Sequence, residues 1–167
     1  MKLKNLLFKK SETEKKIKKK LHIYISEKHS EIIFAPMHRE INIPIYFEQE
    51  TCEVIDLKNT PETIGKSIEQ NFNKFNLKER NSIHNKKRDW PAFKASKEKT
   101  IIGFEKNYSQ FIITGANEHN ITLIIESVFN FPSQIELTTI ISYDCNSSEL
   151  GERLLKIYNC DICERTH

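Results

Sequence analysis

The strongest constraint on this chain is the crowding of β-branched and aromatic residues in its second half, cut into short runs by turn formers. Thr-Ile-Ile-Gly-Phe-Glu at 100–105, Gln-Phe-Ile-Ile-Thr-Gly at 110–115, Asn-Ile-Thr-Leu-Ile-Ile-Glu-Ser-Val-Phe at 120–129 and Gln-Ile-Glu-Leu-Thr-Thr-Ile-Ile-Ser at 134–142 follow one another. Breaks fall at Lys106-Asn107, Ala116-Asn117 and Pro132-Ser133. Side chains of this shape suit a pleated, half-buried surface, and runs joined by short turns pair antiparallel. The pattern predicts four strands in a meander.

The first half adds shorter strands and a helix. Leu-His-Ile-Tyr-Ile-Ser at 21–26 alternates as a strand does, and Glu-Ile-Ile-Phe-Ala at 31–35 is a second strand, ended by Pro36. Ile-Asn-Ile-Pro-Ile-Tyr-Phe at 41–47 is a third, with Pro44 unable to donate to a ladder, so these read as short or edge strands. Thr60 before Pro61 and Glu62 is a helix start, and Ile64, Ile68, Phe72 and Phe75 recur at helical spacing through about residue 76. Asp89 and Pro91 begin a short helical turn anchored by Trp90 and Phe93, and a serine-capped helix over 147–158 closes the chain. The expected fold class is α+β: one twisted antiparallel sheet of five to seven strands flanked by helices, as a single domain. Its expected limits are a basic N-terminal segment at 1–20, the domain at 21–159 and a tail at 160–167.

A chain of 167 residues, 38% apolar and 10% aromatic, has enough material for one packed core, and its 29% charged residues suit a solvated surface rather than disorder. The net charge of +3 is small for a nucleic-acid binder. Much of the basic excess lies in Lys9, Lys10, Lys15, Lys16, Lys18, Lys19 and Lys20 and in Lys86, Lys87 and Arg88. Interleaving of the first run with Glu12 and Glu14 is the pattern of a solvated helix or tail. No stretch approaches the roughly 20 apolar residues of a membrane span, and the first eight residues are too short for a secretory signal. A cytoplasmic location is expected, with Cys52, Cys145, Cys160 and Cys163 as reduced thiols.

Residues that carry chemistry are sparse. Four glycines, at 65, 103, 115 and 151, cannot assemble a phosphate cradle, and neither a Gly-x-Ser-x-Gly elbow nor a His-Glu-x-x-His pair occurs. Cys160, Cys163 and His167 have spacing that suits three zinc ligands, but no second Cys-x-x-Cys or Cys-x-x-His pair completes a site. Asn117, Glu118 and His119 place a carboxylate and an imidazole between two strands, where a tight turn would call for small polar residues in any case. Two alternatives from other classes follow from these features. One is a small metal-dependent hydrolase using Glu118, His119, Cys160 and Cys163; the other is a nucleic-acid-binding domain using the lysine runs.

Several short strings, in order, carry a resemblance: Trp90 with Ser96-Lys97, Thr-Ile-Ile-Gly-Phe at 100–104, Gly-Ala-Asn-Glu-His-Asn-Ile-Thr at 115–122 and Phe-Pro-Ser-Gln-Ile-Glu-Leu at 131–137. Over roughly residues 36–158 the chain resembles the immunity proteins of contact-dependent growth inhibition systems, of the type that neutralises zinc-dependent DNase toxin domains. The resemblance implies a cytoplasmic protein that acts by binding; the chain is expected to be non-enzymatic, without a cofactor and monomeric when unbound. Its implied partner is a cognate C-terminal nuclease domain, whose β-hairpin enters a pocket beside the sheet. Unpaired edge strands fit that mode, because a partner strand satisfies their backbone groups. Candidate toxin-binding residues are Arg88, Trp90, Phe93, Asn117, Glu118 and His119. The positive net charge departs from what an inhibitor of a DNA-cutting enzyme usually presents, so either Glu48, Glu50, Glu53 and Asp56 form an acidic patch or shape dominates recognition.

Overall fold

A computed structural model describes residues 18–39, 45–77, 90–115, 119–126 and 136–160. Arg88, Asn117, Glu118, Cys163, His167, Pro44, the basic run at 86–88 and all but Lys18, Lys19 and Lys20 of the N-terminal run lie outside the described residues.

The strands are β1 (Lys20–Ser26), β2 (Glu31–Arg39), β3 (Tyr46–Glu48), β4 (Glu53–Asp56), β5 (Ser109–Gly115), β6 (Asn120–Glu126) and β7 (Glu136–Ser142). They form one seven-stranded sheet ordered β3-β2-β1-β5-β6-β7, with β4 also pairing β2, and every pairing is antiparallel. The helices are α1 (Pro61–Asn73), α2 (Pro91–Ala95), α3 (Ile101–Asn107) and α4 (Ser147–Tyr158). The fold class is α+β, as expected.

Alternation along the strands sends successive side chains to opposite faces, and each face has its own apolar cluster. Leu21, Ile23, Ile25, Ile32, Phe34, Phe111, Ile113 and Leu123 face α1 and α4, where Ile64, Ile68, Leu150 and Leu154 meet them. Tyr24, Ile33 and Ala35 face α2 and α3, where Ala92 and Phe104 close the second cluster. Helices therefore cover both faces, as the expected sheet flanked by helices has them.

Three local expectations are corrected. Residues 100–105 are not a strand but the start of α3. Thr100 accepts from the Gly103 N–H at 3.0 Å as a helix cap. Phe104 and Tyr108, four residues apart, turn the same way and stack at 4.5 Å, whereas Ile102 is 78% exposed, so the β-branched pair does not decide the backbone. The meander accordingly has three strands, β5, β6 and β7.

Pro36 does not end β2, which runs on to Arg39. It sits where the outer neighbour of β2 changes from β4, with Phe34 opposite Glu53, to β3, with Met37 opposite Glu48. The N–H and C=O of a residue in an antiparallel strand point to the same side, and the Pro36 carbonyl accepts from Gln49 N–H on that outer side. Its missing donor therefore falls in the gap between two partners. β4, short and charged, carries no signal the sequence pattern recognises. The closing helix is capped by Asn146, which accepts from Glu149 N–H at 2.8 Å, one residue before the expected serine.

The turn between β1 and β2 is tied to the link between α2 and α3 through Glu98. Its carboxylate meets His29 Nε2 at 2.6 Å and accepts from Lys28 Nζ at 2.9 Å and Asn107 Nδ2 at 2.6 Å. These partners, His29 first, hold the Glu98 carboxyl at about 2, against an ordinary 4.5. A carboxyl depressed in the fold stabilises it above its unfolded value and loses that contribution as pH falls through the folded one. Between pH 5 and pH 3 the native chain should lose more of its unfolding midpoint than Glu98→Gln does; parallel loss in both would refute the linkage.

Candidate partner-binding edge

β7 is the outermost of the described strands at the long side of the sheet. It pairs with β6 from Glu136 opposite Glu126 to Asn120 opposite Ser142, and no described strand lies on its other side. The Tyr143 N–H donates to the His119 carbonyl at 2.8 Å, one pair beyond the ladder. Because backbone direction alternates along an antiparallel strand, Ile141 and Leu137 share Tyr143's inward direction while Ile140 directs its N–H and C=O outward. The Ile140 side chain is 66% exposed as well.

The opposite edge is blunted. β3 and β4 have three and four residues, and they share the flank of β2. Short, charged edges resist strand addition, whereas a long β-branched one invites it. β7 has neither lysine nor proline across Glu136–Ser142.

Beside the C-terminal half of β7 lies a groove of about 280 Å³ lined by Ile140, Ile141, Ser142, Asp144, Cys145, Glu149 and Arg153. That is just below the roughly 300–1,000 Å³ of small-molecule sites, and suits one or two inserted side chains. Short chain connectivity builds it: the Cys145 N–H donates to the Ser142 carbonyl, and the Asn146 cap starts α4 directly afterwards, folding Glu149 and Arg153 back beside β7. Arg153 lies 3.9 Å from Glu149, a half-exposed pair one helical turn apart that contributes little stability. Burial, then the fields of Glu149 and Glu69, raises the Cys145 thiol, which stays protonated.

Of the sequence-derived candidates, His119 stands at the end of this edge, exposed and joined to Tyr143 through its carbonyl. Trp90 and Phe93 stand elsewhere. Their rings pack edge-on against Phe104 at 4.9 and 5.9 Å, between α2, α3 and the sheet. The anticipated acidic patch is dispersed. Glu48 is buried, Glu53 accepts from Ser67 and Asn71 of α1, and Asp56 caps its own turn by accepting from Ser30 Oγ and Lys58 N–H. Cys160 follows the C-terminal turn of α4, and among the described residues no three His, Cys, Asp or Glu side chains are grouped to hold a metal ion. No helix among the described residues is long and apolar enough to cross a membrane.

Asp144, Glu149 and Arg153 were not legible as a group. Their only prior signal is an acidic turn directly after a β-branched run, which acquires meaning once that run is known to be an edge.

No protein-family model matches the chain, and no curated protein matches it in sequence. Solved structures do share its fold. A protein of unknown function from Neisseria meningitidis aligns over 86% of this chain and 96% of its own, with a TM-score of 0.62 and 15% identity. A chain of the CdiA-CT/CdiI toxin and immunity complex from Yersinia pseudotuberculosis aligns over 86% of this chain and 98% of its own, with a TM-score of 0.58 and 12% identity.

Proposed function

We infer that this protein is an immunity protein of a contact-dependent growth inhibition system, which binds a toxin domain and neutralises it by occupancy rather than by turnover. The observation that carries this reading is the fold shared along 86% of the chain with a chain of a toxin and immunity complex. The toxin is a zinc-dependent DNase domain, in keeping with the sequence strings at 100–104, 115–122 and 131–137. Docking takes place in the cytoplasm by addition of a toxin β-strand to β7. The outward Ile140 backbone supplies hydrogen bonds, and the adjoining groove receives side chains.

The test is co-purification with the toxin domain encoded beside this gene, followed by DNA degradation with and without the protein. A stable complex and suppressed cleavage are expected; no complex and undiminished cleavage would refute the assignment. Ile140→Pro removes one outward N–H and leaves the β6–β7 ladder intact. It should therefore keep its melting temperature within a few degrees while losing toxin affinity by about tenfold or more, since one backbone hydrogen bond and the local strand geometry go together. Unchanged affinity would move the docking site away from β7.

A further inference from the structure

The last three residues of the N-terminal basic run do not stand in a tail. Lys18, Lys19 and Lys20 lead into β1 and lie against the ends of β3 and α1. The Lys18 carbonyl accepts from the Tyr46 hydroxyl at 3.1 Å, and Lys20 Nζ stands 5.1 Å over the Tyr46 ring. Lys19 Nζ donates to Asn73 at 3.3 Å and stands over the Phe72 ring. Two more cations reach the same end of the sheet. Arg39 faces Tyr46 across the β2–β3 ladder, and its N–H donates at 2.8 Å to Asn76, which bends the chain after α1 at φ 59°. Lys74 ends α1 and donates to Asn71 at 3.0 Å. Among the described residues none of these five has a carboxylate within 4 Å, as Lys28, Lys66, Lys97 and Arg153 each do. Glu48 turns to Tyr24 and Ala92 and Glu53 to Ser67 and Asn71, which leaves Glu50 as the exposed carboxylate of that stretch. The C-terminus of α1 supplies only about half a negative charge, and a ring attracts a lysine without neutralising it. Five like charges are thus held together with little compensation, a repulsion that an anionic partner would relieve.

We propose that this end of the sheet, where β1 begins and β2 and α1 end, docks an acidic segment of the toxin domain, whose carboxylates meet Lys18, Lys19, Lys20, Arg39 and Lys74. This rests on the toxin-binding reading and is independent of where a toxin strand pairs. Two observations favour an acidic protein segment over nucleic acid, the other polyanion. The rings here are already engaged, Tyr46 by Lys20 and Phe75 and the buried Phe72 by Lys19, so they are not the open platforms on which bases stack. Exposed apolar side chains also adjoin the cations: Leu77, one residue past Asn76, is 71% exposed, and Ile45, directly before β3, is 51% exposed. A phosphate backbone gains nothing from them, whereas an amphipathic acidic segment covers them between its carboxylate contacts. The lysine stems extend that apolar cover while their charged ends reach the partner. A basic segment would meet five like charges, so the surface selects against partners of the opposite pattern. The net charge of +3, at odds with an inhibitor that imitates DNA, is in keeping with this mode of docking.

The measurement is the dissociation constant of the full-length chain for the toxin domain encoded beside this gene, taken at low and at high salt. Each variant is first checked for an unchanged circular dichroism spectrum. Lys18→Gln/Lys19→Gln/Lys74→Gln is expected to bind about tenfold more weakly at low salt, with a flatter salt dependence, and Leu77→Ser about threefold more weakly at every salt. Lys58→Gln/Lys99→Gln/Lys106→Gln removes the same charge from exposed positions elsewhere and should match the native chain within about twofold. If the native complex forms but the two triple variants bind alike, toxin binding stands and the basic docking surface is overturned. If no complex forms, the toxin-binding reading fails and the surface falls with it. A short DNA duplex is titrated in parallel. Salt-dependent DNA binding that the first triple variant loses, with toxin affinity unchanged, would overturn the proposal in favour of a nucleic-acid surface.

Discussion

Gly65→Ala and Gly151→Ala are each expected to destabilise the fold by about 3 kcal/mol, an overpacking cost at the upper end of its usual range. The two glycines are the contact points at which α1 and α4 cross. A Cβ on Gly65 would lie 1.7 Å from the Ser147 carbonyl oxygen, and one on Gly151 would lie 1.9 Å from the Pro61 carbonyl oxygen. Both obstacles are backbone at the first residue of the opposite helix, so no side chain can swing aside; the helices must separate. Separation would uncover Ile64, Ile68, Leu150 and Leu154, which seal one face of the sheet. Urea unfolding reads the effect directly. With a slope of about 1–3 kcal/mol per molar, each midpoint should fall by 1 M or more. A fall of less than about 0.3 M would mean that the helices slide without loss of packing. Gly103→Ala, whose nearest neighbours are the Glu98 and Thr100 side chains, should be far milder.

Glu48→Ala should cost about 4 kcal/mol, the range for removing one member of a buried charged group. Glu48 is 7% exposed at the end of β3. One carboxylate oxygen accepts from the Tyr24 hydroxyl at 2.6 Å and the Trp90 indole N–H at 3.2 Å, while the other accepts from the Ala92 N–H at 3.0 Å. His22 Nδ1 lies 3.6 Å away. Burial alone would push the Glu48 carboxyl up; His22, Tyr24 and Ala92 together outweigh it and hold it below its ordinary value. The same carboxylate, after burial, pushes the Tyr24 hydroxyl well above its ordinary value, so the phenol remains a donor. Alanine would strand three donors in the second apolar cluster, each costing roughly 1–3 kcal/mol when unpaired, with some recovered by water entry. Combining Glu48→Ala with Trp90→Phe should cost less than the sum of the two single changes, because the indole donor then has no acceptor to lose. Strict additivity, measured by chemical denaturation, would show that the indole hydrogen bond carries no stability.

These effects separate two kinds of site. The polar residues around Glu48 fasten α2 to the sheet and are internal, while Glu149 and Arg153 are about half exposed beside the last described strand of the sheet. Sequence reading singled out Trp90 and Phe93 because aromatic residues dominate both interfaces and cores, and the same chemistry serves either purpose. Phe104 settles their position: both rings meet it edge-on beneath α2. Charge shows the same ambiguity. The run Glu48, Glu50, Glu53 and Asp56 looks like an acidic patch on paper, but Glu48 and Glu53 turn inward to tie α2 and α1 to the sheet.

The sequence alone determined the elements whose local signals agree. Thr60-Pro61 starts α1, Ile64, Ile68 and Phe72 bury one of its faces, alternation specifies β1, and β-branched runs specify β5, β6 and β7. Each of these rests on interactions within a few residues, which is the range over which capping and periodicity act. The tertiary structure decided everything that depends on what lies across a gap. It made 101–107 a helix, because Phe104 and Tyr108 had an apolar face to fill, and it carried β2 through Pro36, because the missing donor met no partner there. It also placed β7 at the edge rather than in the middle. A strand's own residues specify its pleat and its faces, but whether a neighbour occupies its outer side is settled by how the whole chain closes, and on that closure depends the groove at Asp144, Glu149 and Arg153.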